Sequence, residues 1–314
     1  MRVFVTGGTG ALGRFLIPQL AAAGHEVVAL VRSSEKADQV KAAGAQPVLA
    51  DPLDKPALTA AVVAAQPGVI VHQLTALSGM GDFKNFDQEF ALTNRFRTEV
   101  TDTLIEAGRA AGVRRIIAQS FCGWPYAREG GPVKTEDDPL DPDPPEGFGK
   151  SLAAIRQLED RIKQTTYFDA LALRYGIFYG PGTSIADDGR IVTMVKDAKL
   201  PIVGDGAGVW SFIHVHDAAA ATVAAVTHGA PGIYNIVDDE PAPVSSWLPE
   251  LAEAIGAKPP SHVPAFLAGF VIGEGGVSMM TKVRGGSNEK AKRELAWQPL
   301  YASWRRGFGS GLRS

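Results

Sequence analysis

Short unbroken apolar runs alternate with longer amphipathic stretches through the first half of the chain, and this alternation predicts repeated strand–helix units. Val3, Phe4 and Val5 form the first run, a buried strand; Phe15, Leu16 and Leu20 mark one face of the helix that follows. The same reading predicts a strand over 25–31, a helix over 35–43, a short strand over 46–50 and a helix over 55–65. A fourth strand follows at 68–72, a long helix at 90–111 and a fifth strand at 115–120. Five prolines and a cluster of acids exclude regular structure at 130–147, which reads as an ordered active-site loop. Helix then resumes over 149–163, before a sixth strand at 170–175. Strand–helix repetition of this kind forces parallel crossovers, so the expected fold class is α/β with a doubly wound parallel sheet.

The turn after the first strand carries the chemistry. It reads Thr6-Gly7-Gly8-Thr9-Gly10-Ala11-Leu12-Gly13 between a buried strand and an amphipathic helix. In that setting Gly8 permits a tight turn, Gly10 lets the backbone approach a pyrophosphate, and Gly13 lets helix and strand pack closely. The helix N-terminus adds free N–H groups and the positive end of its dipole. A dinucleotide on a Rossmann-type domain is the expectation, over residues 1–175 with 210–236 returning to it. A smaller C-terminal substrate lobe takes 176–209 and 237–314.

At the end of the second strand an acid would select NAD, whereas an arginine accommodates a 2′-phosphate. Arg32 and Ser33 stand there, which favours NADP over NAD. At the next strand end Asp51 and Leu53 are placed to meet adenine, or the segment is a helix N-cap.

Charge and composition narrow the partners. A net charge of −3 without a basic stripe gives no footprint for nucleic acid. The single cysteine, Cys122, excludes an internal disulfide and suits a reducing compartment; it reads as a small buried hydrophobe. The apolar stretch 263–280 is broken by Gly269, Gly273, Glu274, Gly275 and Gly276, too short and interrupted to span a bilayer. With no signal peptide visible, a soluble, cytoplasmic enzyme acting on a small molecule is expected. His72 and His214 lie on apolar strands with no further ligand at suitable spacing, so no metal site is expected and both read as structural.

Taken together the chain resembles the extended short-chain dehydrogenase/reductase family, which includes nucleotide-sugar epimerases and dehydratases. The resemblance rests on the glycine loop, on His72-Gln73-Leu74-Thr75-Ala76 after strand four, and on Arg174 with Tyr179-Gly180-Pro181-Gly182. Phe212-Ile213-His214-Val215-His216-Asp217, Tyr234-Asn235 and Ala291 to Trp297 extend it along nearly the whole chain. It implies that Leu74, Thr75, Ala76 and Tyr175 help to hold the cofactor. Homodimerisation through the helices at 90–111 and 149–163 is also implied. The family's catalytic set is a Ser or Thr after strand five and a Tyr-x-x-x-Lys pair at the start of the next helix. Ser120 matches the first, with Trp124 where a Tyr is often found. Phe148 and Leu152 fall where the pair should be, and neither moves a proton. Shifting by two residues would bring in Glu146 and Lys150, but rotates the helix by about 200° and buries the wrong face.

This resembles an atypical member that lacks the pair. Trp210 stands where nucleotide-sugar enzymes present an arginine to phosphate. It is either an aromatic substrate contact or core, and Arg284 either meets an anion or sits at the surface. Candidate proton donors are Ser120, Tyr126, Lys150, Tyr175 and Cys122, with Tyr126 preferred and Tyr175 in reserve. Three functions remain open. One is an NADP(H)-dependent oxidoreductase or epimerase-like enzyme on a small apolar or aromatic substrate; the others are a non-redox lyase, isomerase or cyclase, and a dinucleotide-responsive sensor.

Overall fold

A computed structural model of the protein describes residues 1–77 and 83–313. Its centre is a seven-stranded sheet of β1 (Arg2–Thr6), β2 (Glu26–Val31), β3 (Ala45–Leu49), β4 (Val69–His72), β5 (Arg115–Phe121), β6 (Asp169–Tyr175) and β7 (Gly232–Ile236). The strands lie in the order β3-β2-β1-β4-β5-β6-β7 and every neighbouring pair is parallel. The expected doubly wound α/β sheet is the one that forms. On one face pack α1 (Gly13–Ala22), α2 (Ser34–Ala42) and the later helix Val215–Ala225; on the other pack α3 (Lys55–Ala65), α4 (residues 91–110) and α5 (Gly149–Gln164).

Residue parity along each strand decides which face a side chain serves, because successive side chains point to opposite sides. Val3 and Val5 join the α1 side while Phe4 joins the α3–α4 side, and Ile117 and Ile116 divide in the same way. At the carboxyl end of β5, β6 and β7 the register lines up Ser120, Arg174 and Asn235, with Phe121, Tyr175 and Ile236 as the next row.

The long helix α4 is not a uniform α-helix. Ala91–Arg95 passes into π-helix over Phe96–Val100 before α-helix resumes at Thr101–Ala110. The Phe96 carbonyl accepts from His72 Nε2 at 3.1 Å and from the Thr101 hydroxyl at 3.4 Å. Side-chain donors competing for a ladder carbonyl are a known cause of such local widening.

Beyond β6 the chain builds an aromatic second core around Trp210, Phe212, Trp247, Trp304 and Phe308. The helix Ala265–Thr281 packs into this core through Ala268, Met279 and Met280 and breaks at Gly273, whose φ of 71° an L side chain rarely adopts. Among the described residues no helix is long and apolar enough to cross a membrane.

Candidate active site

A cavity of about 580 Å³ opens over the carboxyl ends of β1, β4, β5 and β6, where open α/β sheets hold their ligands. One end is the glycine loop: Gly7, Gly10, Ala11, Leu12 and Gly13 line it. The tight turn belongs to Gly7 rather than Gly8. Gly7 has φ +80°, and a Cβ there would stand 2.3 Å from the Gln73 carbonyl oxygen. Gly8 packs against Ile17, and a Cβ on Gly13 would meet the Gly8 backbone at 2.4 Å. Gly10 is different: its nearest neighbour would be Gly7 O at 3.4 Å, so the protein itself leaves that side open. Helix α1 starts here without a side-chain cap on its first N–H groups. An open glycine beside an uncapped helix N-terminus fits a dinucleotide diphosphate. Gln73 adds a second sign of a missing partner, for its Oε1 is buried on the cavity wall without one.

The remaining cofactor candidates divide. Thr75 lines the cavity, with half-buried Leu74 and Ala76 beside it and the Ala76 N–H donating to Thr93 Oγ1. Thr6 is buried, its hydroxyl 2.8 Å from His72 Nδ1, while Thr9 is half-buried and Gly8 lies behind the wall. Arg32, Ser33 and Asp51 are exposed at the ends of β2 and β3, and Leu53 is half-buried. Ser33 Oγ caps α2 by accepting from Lys36 N at 3.3 Å. The cap of α3 is Asp54, not Asp51, whose carboxylate accepts from Leu53 N at 2.9 Å.

Of the candidate proton donors only Tyr175 lines the cavity. Its hydroxyl is engaged twice, accepting from Gln73 Nε2 at 3.1 Å and sharing a 2.7 Å bond with Thr222 Oγ1. Burial pushes that hydroxyl well above the ordinary tyrosine value.

Ser120 and Tyr126 lie outside the cavity, and strand parity is the reason for Ser120. Ser120 shares its face with Arg174 and Asn235, so its hydroxyl donates to Glu159 Oε1 of α5 at 2.8 Å. Glu159 also takes two bonds from Arg174, at 2.7 and 2.6 Å, and both side chains are 2% exposed. Burial alone would weaken the Arg174 charge, but the carboxylate holds its pKa above the ordinary value. Tyr126, fully buried, donates to Asn235 Oδ1 at 2.7 Å and accepts from Arg174 Nη1 at 2.9 Å. The preferred proton donor, Tyr126, thus lies within this buried network and outside the glycine-loop cavity.

Lys150 is exposed, with its backbone N–H bonded to Asp87. The thiol of Cys122 is buried and pushed up to about 12 by that burial. The loop at 130–147 borders a separate cavity of about 560 Å³ lined by Glu136, Glu159 and Arg174, not the glycine-loop cavity.

The far end of the main cavity is aromatic. Phe86, Phe90 and Trp124 line it, and Phe148 backs them. Phe86 stacks on Phe148 at 4.0 Å and on Phe90 at 4.1 Å between centroids, while Trp124 meets both Phe86 and Phe148 edge-on at 5.3 Å. Leu152 is fully buried one turn into α5, in the same cluster. Trp210 belongs to the core, with Nε1 donating to Met279 O at 2.8 Å, and Arg284 bonds the Lys282 carbonyl away from the cavity. The structure adds wall residues that sequence patterns did not single out, Arg97, Gln119, Phe121, Asp188 and Arg190, and brings in Gln73, which the sequence offered only as part of the motif after strand four. Parity along β5, counted from the buried Ile117, was the signal available for Gln119 and Phe121.

The family description "NAD dependent epimerase/dehydratase family" matches residues 3–237. The chain belongs to that family. Like its members it is an NAD(P)-dependent oxidoreductase or epimerase-like enzyme with a nicotinamide cofactor. It is 45% identical over 310 residues to the 3-diazoavenalumate denitrifying reductase of a Streptomyces species, across 98% of this chain and 99% of that protein. It is 31% identical over 274 residues to the 4-hydroxy-2-methyl-3-oxo-4-farnesyl-3,4-dihydroquinoline-1-oxide ketoreductase of Stigmatella aurantiaca, covering 82% of this chain and 74% of that one. Among solved structures, the UDP-glucose 4-epimerase of Thermus thermophilus in complex with NAD superposes with a TM-score of 0.75 at 23% identity. The match spans 99% of this chain and 98% of that one, a likeness of fold.

Proposed function

We propose that this protein is an NADPH-dependent denitrifying reductase that replaces the diazo group of an aromatic compound by hydrogen. The observation that carries the reading is the 45% identity to the Streptomyces denitrifying reductase over practically the full length of both chains. A reduced nicotinamide held at the glycine loop would supply hydride; an arenediazonium would then become an arene, its C–N bond breaking, a C–H bond forming and N2 leaving.

That balance needs no proton, whereas a reduced ketone leaves an alkoxide that must be protonated. The cavity suits the first case. Its one tyrosine among the described residues, Tyr175, has both hydroxyl functions occupied by Gln73 and Thr222. Phe148 and Leu152, in the positions assigned to the family's Tyr and Lys, serve packing instead. Phe86, Phe90 and Trp124 give a planar arene faces and edges to lie against and keep water from the reacting carbon. The open side of Gly10, the start of α1 and Arg32 hold the diphosphate and the 2′-phosphate. Incubation with NADPH and either an aryl diazo compound or an aryl ketone tests the reading. Cofactor oxidation is expected with the diazo compound alone; oxidation with the ketone alone would reverse it in favour of a ketoreductase.

A further inference from the structure

Three cationic side chains are buried among the described residues: Arg97, Lys134 and Arg174. Arg174 is paired with Glu159 at 2.6 Å and Lys134 with Asp138 at 3.4 Å. Arg97, 7% exposed, has no carboxylate within ion-pair distance among the described residues. Its one hydrogen bond to protein among them runs from Nη1 to the neutral Asn94 Oδ1 at 3.1 Å. A charge taken out of water without a counter-charge is costly unless an anion completes it. Burial lowers the Arg97 pKa to about 10, with the more distant Glu159 carboxylate opposing in part.

The side chain is also held in place. It projects from the π-helical turn Phe96–Val100 and lines the main cavity. Asn94 Nδ2 donates to Ser151 Oγ at 3.1 Å, and Ser151 Oγ donates to Asp87 Oδ1 at 2.6 Å. The guanidinium carbon lies 5.7 Å from the centre of the Phe90 ring. That puts the charge beside the aromatic end of the cavity. We infer that Arg97 is the substrate's carboxylate anchor, and that the substrate is an aromatic acid lying along Phe90, Phe86 and Trp124. A planar carboxylate matches the guanidinium fork. The inference rests on the aromatic substrate proposed above and adds its anionic group.

Calorimetric titration in the presence of NADP+ tests it with unreactive probes: 4-hydroxycinnamate, its methyl ester and 4-methoxycinnamate. The two acids are expected to bind at least about tenfold tighter than the ester. In Arg97→Gln that preference is lost while the ester's affinity stays within about twofold, and Arg97→Lys restores part of it. Thermal melting checks that the variants fold; should they not, the wild-type comparison still decides. Equal binding of acid and ester overturns the inference, as does a preference that follows the phenol or one that survives Arg97→Gln. Because binding is read without turnover, an acid-selective site that releases no N2 refutes the proposed reaction and leaves the anchor standing.

Discussion

The Ser120 hydroxyl donates to Glu159 Oε1 at 2.8 Å, and that bond holds it on the opposite side of β5 from the cavity that Gln119 and Phe121 line. The residue in the expected catalytic position therefore belongs to a buried network that fastens α5 to the sheet.

Ser120→Ala and Tyr126→Phe are expected to keep kcat/KM within about threefold of wild type. Each costs stability on the order of 1–2 kcal/mol, because buried partners are left short of a bond. Glu159→Ala is harsher, about 3–5 kcal/mol, since it strands the Arg174 charge. Steady-state kinetics beside urea unfolding separates the two effects. A hundredfold loss of turnover in a fully stable Ser120→Ala would return Ser120 to the mechanism.

Gly10→Ala and Gly13→Ala separate binding from folding. At Gly10 the added Cβ meets only Gly7 O at 3.4 Å, so melting should move little while dinucleotide binding weakens about tenfold or more. At Gly13 the Cβ would stand 2.4 Å from Gly8 backbone, and the protein itself should be destabilised. Calorimetry and thermal melting on both variants check this contrast.

Arg32→Ala should weaken NADPH by about tenfold or more and leave NADH unchanged, since only the former carries the 2′-phosphate. Equal effects on both, in parallel titrations, would remove Arg32 from cofactor selection.

His72 predicts a pH dependence. Burial lowers its pKa from 6.5 to about 4, the Phe96 carbonyl opposing in part. Between these values the unfolded chain binds a proton that the native state does not. Stability attributable to this group is whole above pH 6.5, falls as pH drops, and is gone by about pH 4. The share is about 3 kcal/mol, at up to about 1.4 kcal/mol per pH unit. Unfolding of His72→Gln between pH 7 and 4 should show a slope shallower by that amount; parallel curves would contradict it.

Much of this architecture was legible in the chain. Val3 to Val5, Val69 to Val71 and Ile116 to Ile117 announce buried strands, and the glycines after Thr6 announce the ligand end of the sheet. The facing of side chains at the end of β5 was less plain. A one-residue difference sends Ser120 to Glu159 and Gln119 to the cavity, and a motif match at Ser120 carries no parity. Arg97 was hidden for another reason: the π-turn at Phe96–Val100 shifts the helical phase, so a 3.6-residue period does not place its side chain. Trp210 looked the same from sequence whether it faced substrate or core, since both environments favour a large aromatic.

The central claim is tested most directly by single-turnover reaction of the enzyme and NADPH with an aryl diazo acid carrying nitrogen-15 in both diazo positions. Gas-phase mass spectrometry should find one labelled N2 per NADPH oxidised, with the arene bearing hydrogen where the diazo group stood. NADPH oxidation without labelled N2, or N2 loss to a phenol with NADPH untouched, would contradict the account.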